Sequence, residues 1–152
     1  MIRPRKIILL VEDSDRDAEL ILNALEPRQT AKAVVRVRDG AEALDYLYRR
    51  GAFIERSDGQ PALLLLDLKL PKVDGLGVLQ QVKGDPALKM IPVVMMTSSR
   101  QEQDLIRSYE LGVNAYVVKP LKFQDFVEAV RQVSGFWAVI NEVPESLRRG
   151  EP

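Results

Sequence analysis

The chain has 152 residues, 22 Lys plus Arg against 22 Asp plus Glu, no histidine and no cysteine. That length suits one domain burying about 68–70 % of its unfolded surface, and 46 % apolar with 29 % charged residues is a globular composition. The two missing residue types exclude disulfides, thiolate and imidazole metal sites, Ser–His triads and cysteine nucleophiles, and balanced charge argues against a broad electrostatic hold on nucleic acid or anionic lipid.

Chemistry must therefore come from carboxylates, hydroxyls, lysines and a hard cation. Arg3, Arg5 and Lys6 open the chain, but the apolar run Ile7–Val11 stops at Glu12-Asp13. A secretory signal needs about 7–15 apolar residues and a membrane span about 20. A cytoplasmic protein with no membrane attachment is expected.

Apolar runs alternate with helix-period segments along the chain. Lys6–Val11 reads as a buried strand, and Asp15–Leu25 as a helix capped by Ser14 or Asp15 and ended by Pro27. Lys32–Arg38 alternates like a half-solvated edge strand, with Val35 and Val37 set against Arg36 and Arg38. After the Asp39-Gly40 turn, Ala41–Tyr48 is helical, and Gly51–Pro61 is one long irregular stretch. Ala62–Leu66 is the most apolar strand and is placed centrally. Gly75–Lys83 predicts a helix entered through Asp74-Gly75, Pro92–Met96 a strand, and Gln101–Leu111 a helix stopped by Gly112. Asn114–Val118 is a fifth strand and Lys122–Val133 a fifth helix. Five β–α repeats imply one α/β domain, a parallel sheet covered on both faces by right-handed crossovers. The domain is expected over 1–142, with 143–152 as a loose tail.

In open α/β sheets ligands bind at the carboxyl ends of the strands. Glu12-Asp13 follow the first strand and Asp67 the third; Thr97-Ser98-Ser99 follow the fourth, and Lys119-Pro120 the fifth. Each alone has an ordinary structural explanation: helix-entry acids, a turn residue, a cap, a strand exit. Together they bring three carboxylates, a hydroxyl and an ammonium to one edge. Three carboxylates about 4 Å apart repel by about 4 kcal/mol per pair at an effective dielectric near 20. Proton uptake, the Lys119 ammonium or a hard cation, Mg²⁺ or Mn²⁺, would offset that. Asp67, ending the most buried strand, is the natural nucleophile for an acyl phosphate, and Lys119 and Thr97 would meet the oxygens of the incoming group.

Val11-Glu12-Asp13, Leu66–Gly75 (LDLKLPKVDG), Met96–Ser99 and Asn114–Pro120 (NAYVVKP) together resemble the response-regulator receiver family of two-component signalling. The resemblance spans about Lys6 to Val133 and implies a five-stranded sheet of flavodoxin-like order 2-1-3-4-5 with helices on both faces. It makes Asp67 the phosphoacceptor and Asp13 a direct Mg²⁺ ligand. Glu12 would act mainly through water, and Lys69 through its backbone carbonyl. It makes Thr97 the switch hydroxyl, Ser98 the small residue beside it and Tyr116 the switch aromatic. Lys119 becomes the phosphate-pairing lysine, before a cis Pro120. The Gly51–Pro61 loop, the Leu70–Lys72 turn and the Phe136-Trp137 pair are similar to stand-alone regulators partnered with phytochrome-type histidine kinases. The implied partner is a sensor histidine kinase, and the protein is a phosphoacceptor whose only chemistry is its own phosphotransfer and dephosphorylation. No DNA-binding segment follows Val133, so signalling through protein contacts is expected. The apolar residues Phe136, Trp137 and Ile140 suggest a homodimer interface.

Two rival readings fail on particular positions. A haloacid-dehalogenase-type phosphatase wants a second acid two residues after its aspartate, where Lys69 stands. A nucleotide-binding domain wants a glycine-rich first loop, and Glu12–Arg16 has no glycine.

Overall fold

The computed structural model describes residues 6–25 and 32–149. The strands are β1 (Lys6–Val11), β2 (Lys32–Val37), β3 (Leu63–Leu66), β4 (Val93–Thr97) and β5 (Ala115–Val118). Between and after them come α1 (Asp15–Leu25), α2 (Gly40–Tyr48), α3 (Gly75–Gly84), α4 (Glu102–Glu110), α5 (Phe123–Ser134) and α6 (Glu145–Arg149). All strand pairs are parallel, in the order β2-β1-β3-β4-β5, as expected. Pro27 lies outside the described residues.

Side chains on a strand alternate between faces, and here both faces are apolar. Ile7, Leu9, Val11, Leu64, Leu66, Val93 and Met95 pack in the layer under α2 and α3. Ile8, Leu10, Leu63, Leu65, Val94 and Met96 pack in the layer under α1 and α5. That double burial explains why the inner strands read as unbroken apolar runs. Helix entries follow from short polar side chains: Ser14 Oγ accepts from Asp17 N–H at 3.2 Å, and Asp39 and Asp74 cap α2 and α3 at 2.8 Å each. Gly112, in the left-handed region at φ 98°, turns the chain away from α4. No helix among the described residues is long and apolar enough to cross a membrane.

The carboxyl-terminal segment differs from expectation. α5 runs on into one π-turn, Gly135–Ile140, closed by Asn141 N–H donating to the Phe136 carbonyl at 2.7 Å. Lys6 Nζ donates to the carbonyls of Val139 and Asn141, both at 3.4 Å. The tail expected to be loose is packed as far as α6: Val143 and Leu147 are buried in the α2–α3 layer. Two apolar residues four positions apart carry this packing, on the same layer as Leu47 of α2 and Leu64 of β3. The loop itself is pinned. Arg56 lies 4.0 Å over the Tyr46 ring and donates to the Tyr46 carbonyl at 3.0 Å and to Gln60 Oε1 at 2.8 Å. Gln60 in turn donates its N–H to the Leu147 carbonyl and its amide to the Leu47 carbonyl, each at 2.9 Å.

Candidate functional site

The carboxyl ends of four strands deliver the site. β1 ends in Glu12 and Asp13, with Glu12 N–H still paired to the Val37 carbonyl at 3.1 Å. Asp67 leaves β3 with its N–H on the Val11 carbonyl at 3.2 Å, and Lys119 leaves β5 with its N–H on the Thr97 carbonyl at 2.8 Å. Backbone pairing thus holds the four strand ends in register.

Lys119 Nζ is the hub. It stands 2.6 Å from Glu12 Oε1, 2.8 Å from Asp17 Oδ2 and 3.1 Å from Asp67 Oδ2, with only 7 % of its side chain exposed. Burial pushes the Glu12 carboxyl up to about 7, against the hydrogen bond from Lys119 that lowers it. Burial alone would depress Lys119, but its bonds to Asp17 and Glu12 and the charge of Asp67 outweigh that and hold the ammonium above its ordinary range. A buried ammonium among several carboxylates stays charged and neutralises part of their repulsion.

Glu12, Asp13 and Asp67 each bring a carboxylate oxygen within 4.8 Å of the others. Glu12 is buried, Asp67 half-buried and Asp13 exposed. An all-oxygen set with one solvent-facing member fits a hard divalent cation that keeps some of its water. Beside it, Asp67, Lys69, Thr97, Ser98 and Ser99 line a cleft of about 310 Å³. Thr97 is buried, and its Oγ1 accepts from Ser99 N–H at 3.3 Å. Ser98 and Lys69 are exposed. Gly75 explains how α3 starts directly against the Asp67–Leu68 backbone. Its N–H donates to the Leu68 carbonyl at 2.7 Å, and an added Cβ would stand 2.2 Å from the Asp67 carbonyl oxygen.

One expected detail differs. No peptide bond among the described residues is cis, so Lys119–Pro120 is trans. The trans isomer is favoured by about 0.5–1 kcal/mol before any tertiary constraint acts, and Lys119 reaches its three carboxylates from it. Tyr116 is already folded against the α2–α3 layer, its hydroxyl donating to the Ser99 carbonyl at 3.1 Å; Ser99 Oγ in turn donates to Asp104 Oδ2. Among the residues suggested for a dimer, Phe136 and Ile140 are exposed, whereas Trp137 is half-buried on the α1–α5 layer.

Two site residues were not anticipated. Asp17 sits in the first turn of α1, four residues beyond Asp13, where it reads as an ordinary helix-entry acid. Arg36 was read as the solvated side of an edge strand. Its Nε and Nη2 donate to the Glu12 carbonyl at 3.0 and 2.8 Å, and its Nη1 to Asp15 Oδ1 at 2.9 Å. It thereby clamps the β1–α1 turn, and no periodicity reveals a reach of 24 residues.

An α/β sheet of order 2-1-3-4-5, with an acidic trio, a hydroxyl and a lysine at its strand ends, defines a receiver domain, the phosphoacceptor module of two-component signalling. The chain matches the response regulator receiver domain family over residues 8–131 and belongs to it. It is 42 % identical to the response regulator Rcp1 of Synechocystis sp. over 134 residues, 88 % of this chain and 90 % of that protein. The Mn²⁺-bound form of Rcp1 superposes with a TM-score of 0.86 at 40 % identity, covering 91 % of this chain and 99 % of that one. The phosphorylated cyanobacterial phytochrome response regulator RcpA gives a TM-score of 0.87 at 42 % identity, covering 92 % and 99 % of the two chains. The bacteriophytochrome response regulator AtBRR is 62 % identical, with a TM-score of 0.72 over 91 % of this chain and 99 % of its own. This chain is a response regulator homologous to phytochrome-associated regulators, and its acidic trio fits the divalent metal such domains bind.

Proposed function

We propose that Asp67 accepts a phosphoryl group from the phosphohistidine of a sensor histidine kinase of the phytochrome type. The observation that carries this reading is Asp67 itself: a half-buried carboxylate, 3.1 Å from a buried ammonium, facing a polar cleft. An Asp67 carboxylate oxygen attacks phosphorus in line as the phosphorus–nitrogen bond breaks, the imidazole leaves neutral, and an aspartyl phosphate forms. Asp13, Asp67 and the Lys69 carbonyl, with Glu12 behind them, would hold Mg²⁺, or Mn²⁺ in its place, which would supply charge neutralisation. Lys119 pairs with one phosphoryl oxygen and the Thr97 hydroxyl donates to another, with Ser98 leaving room beside it. The same groups support the protein's own dephosphorylation.

The readout is a shift in population of Tyr116. Thr97 drawn toward the phosphoryl group strengthens docking of the ring beneath Ser99, and α4, β5 and α5 present the altered face to protein partners. A cytoplasmic setting follows from a kinase partner of that kind. The exposed Phe136 and Ile140 support self-association as a homodimer around the Trp137 edge, where the Phe136 and Trp137 rings lie 5.0 Å apart.

Two experiments test these readings. Asp67→Asn should take no label from acetyl phosphate while keeping its circular dichroism; full labelling of that variant would remove the assignment. Ile140→Glu should lower the association state in sedimentation velocity, and an unchanged distribution argues against this interface. Ile140 is used because Trp137 also packs on the core.

A further inference from the structure

We propose that Asp17 is a positioning residue: it receives the Lys119 ammonium when the acidic trio is engaged, and competes with the phosphoryl group for it. This inference rests on the phosphoacceptor reading of the site. Lys119 meets three carboxylates, and they are not equivalent. Glu12 and Asp67 belong to the trio whose oxygens converge within 4.8 Å, whereas Asp17 does not. Asp17 comes from the first turn of α1 and lines a different cleft, of about 290 Å³, with Lys119, Leu121, Phe123 and Phe126. Asp13 lines another one with Lys69 and Asp74. Lys119 therefore spans from the metal-capable trio to the α5 side, and Asp17 anchors the α5 end.

The distances rank the three carboxylates by their closeness to the ammonium. Nζ lies 2.8 Å from Asp17 but 3.1 Å from Asp67, so the phosphoacceptor holds the ammonium less closely than Asp17 does. Glu12 is closer still, at 2.6 Å, and a divalent cation and an ammonium draw on the same two carboxylates, Glu12 and Asp67. A buried ammonium stripped of its partners is strongly unfavourable. Asp17 gives Lys119 a partner outside the trio, which lets Glu12 and Asp67 turn to a cation. The same partner must then be surrendered, wholly or in part, when Lys119 turns to a phosphoryl oxygen. Asp17 thus favours metal loading and opposes phosphoryl retention, two effects of opposite sign from one side chain.

That opposition supplies the test. Mn²⁺ affinity is measured by the paramagnetic signal of free Mn²⁺. Beryllofluoride affinity, at saturating Mg²⁺, is measured by ¹⁹F NMR. Both are compared among wild type, Asp17→Asn and Asp17→Ala. The expected result is Mn²⁺ binding weakened by roughly threefold to tenfold and beryllofluoride binding tightened by a similar factor, the scale of one partly buried ion pair. Asp17→Glu, which keeps the charge, should restore both values toward wild type. A residue that only stabilised α1 would weaken both ligands together; shifts in the same direction, or no shift in either, overturn the proposal. Failure of the underlying reading looks different: wild-type protein that takes no label at Asp67, a result the Mn²⁺ measurement does not depend on.

Discussion

Gly75→Ala isolates the link between the start of α3 and the phosphoacceptor. Gly75 is the first residue of α3, where an alanine would ordinarily do well, so the glycine is explained by proximity and not by helix propensity. A Cβ there would stand 2.2 Å from the Asp67 carbonyl oxygen, 2.7 Å from Leu68 Cα and 2.8 Å from the Leu68 carbonyl oxygen, where ordinary contact begins at 3.4 Å. All three obstacles are backbone, so no side chain can turn away. The helix and the Asp67–Leu68 segment must separate by about 1 Å. Overpacking of that kind costs about 1–3 kcal/mol, less up to about 1 kcal/mol regained from helix propensity. The net cost, up to about 3 kcal/mol, should lower Tm by up to about 12 °C, at about 2–4 °C per kcal/mol for a domain of this size. The larger effect should be kinetic, because a reacting group misplaced by about 1 Å can lose up to about 10²-fold in rate. Acetyl phosphate labelling and thermal melts on the same preparation measure both. Gly84→Ala is the control at the other end of α3, where an added Cβ meets nothing within 4 Å. Labelling by Gly75→Ala at the wild-type rate, with an unchanged Tm, would show that the close approach does not position Asp67.

Glu12 predicts a pH-dependent stability in the cation-free protein. Its folded pKa of about 7 lies above the ordinary 4.5, so the folded state binds the proton more tightly than the unfolded one. Stability should therefore fall as pH rises from about 4.5 to 7, by about 3 kcal/mol in total. Melts in EDTA between pH 5 and 8 should show this slope in wild type and not in Glu12→Gln; parallel curves would exclude burial of Glu12 as its source. Leu147→Ala removes a buried side chain from α6 and should destabilise by about 2–5 kcal/mol, read as a lower midpoint in urea. Its labelling rate should stay unchanged, since Leu147 packs beside Gln60, before β3, whereas Asp67 follows β3.

The parts legible in the sequence were those whose signal is local. Ile7–Val11 and Leu63–Leu66 announce inner strands because both faces are covered. Asp67, Thr97 and Lys119 were found because a strand end lies within one residue of each. Asp17 and Arg36 escaped because their roles depend on reach between elements, from α1 to the end of β5 and from β2 to the Glu12 carbonyl. The isomer at Pro120 was misjudged because about 1 kcal/mol separates the two forms and no local pattern records the choice. The tail misled for a related reason. Val143 and Leu147 stand among charges and prolines, and only packing on a layer built far earlier in the sequence makes them core residues.

That closing segment also bears on how the chain is made. Lys6 finds its Asn141 partner 135 residues later, and Gln60 waits for Leu147. Synthesis proceeds at about 5–20 residues per second, so β1, β3 and α2 exist for several seconds before residues 143–147 can cover them. During that interval part of the layer built on Leu9, Leu47 and Leu64 lies open, and contacts so distant in sequence form slowly even once the whole chain is present. Yield on expression should therefore depend on residues 139–147 more steeply than their share of the folded protein's stability suggests.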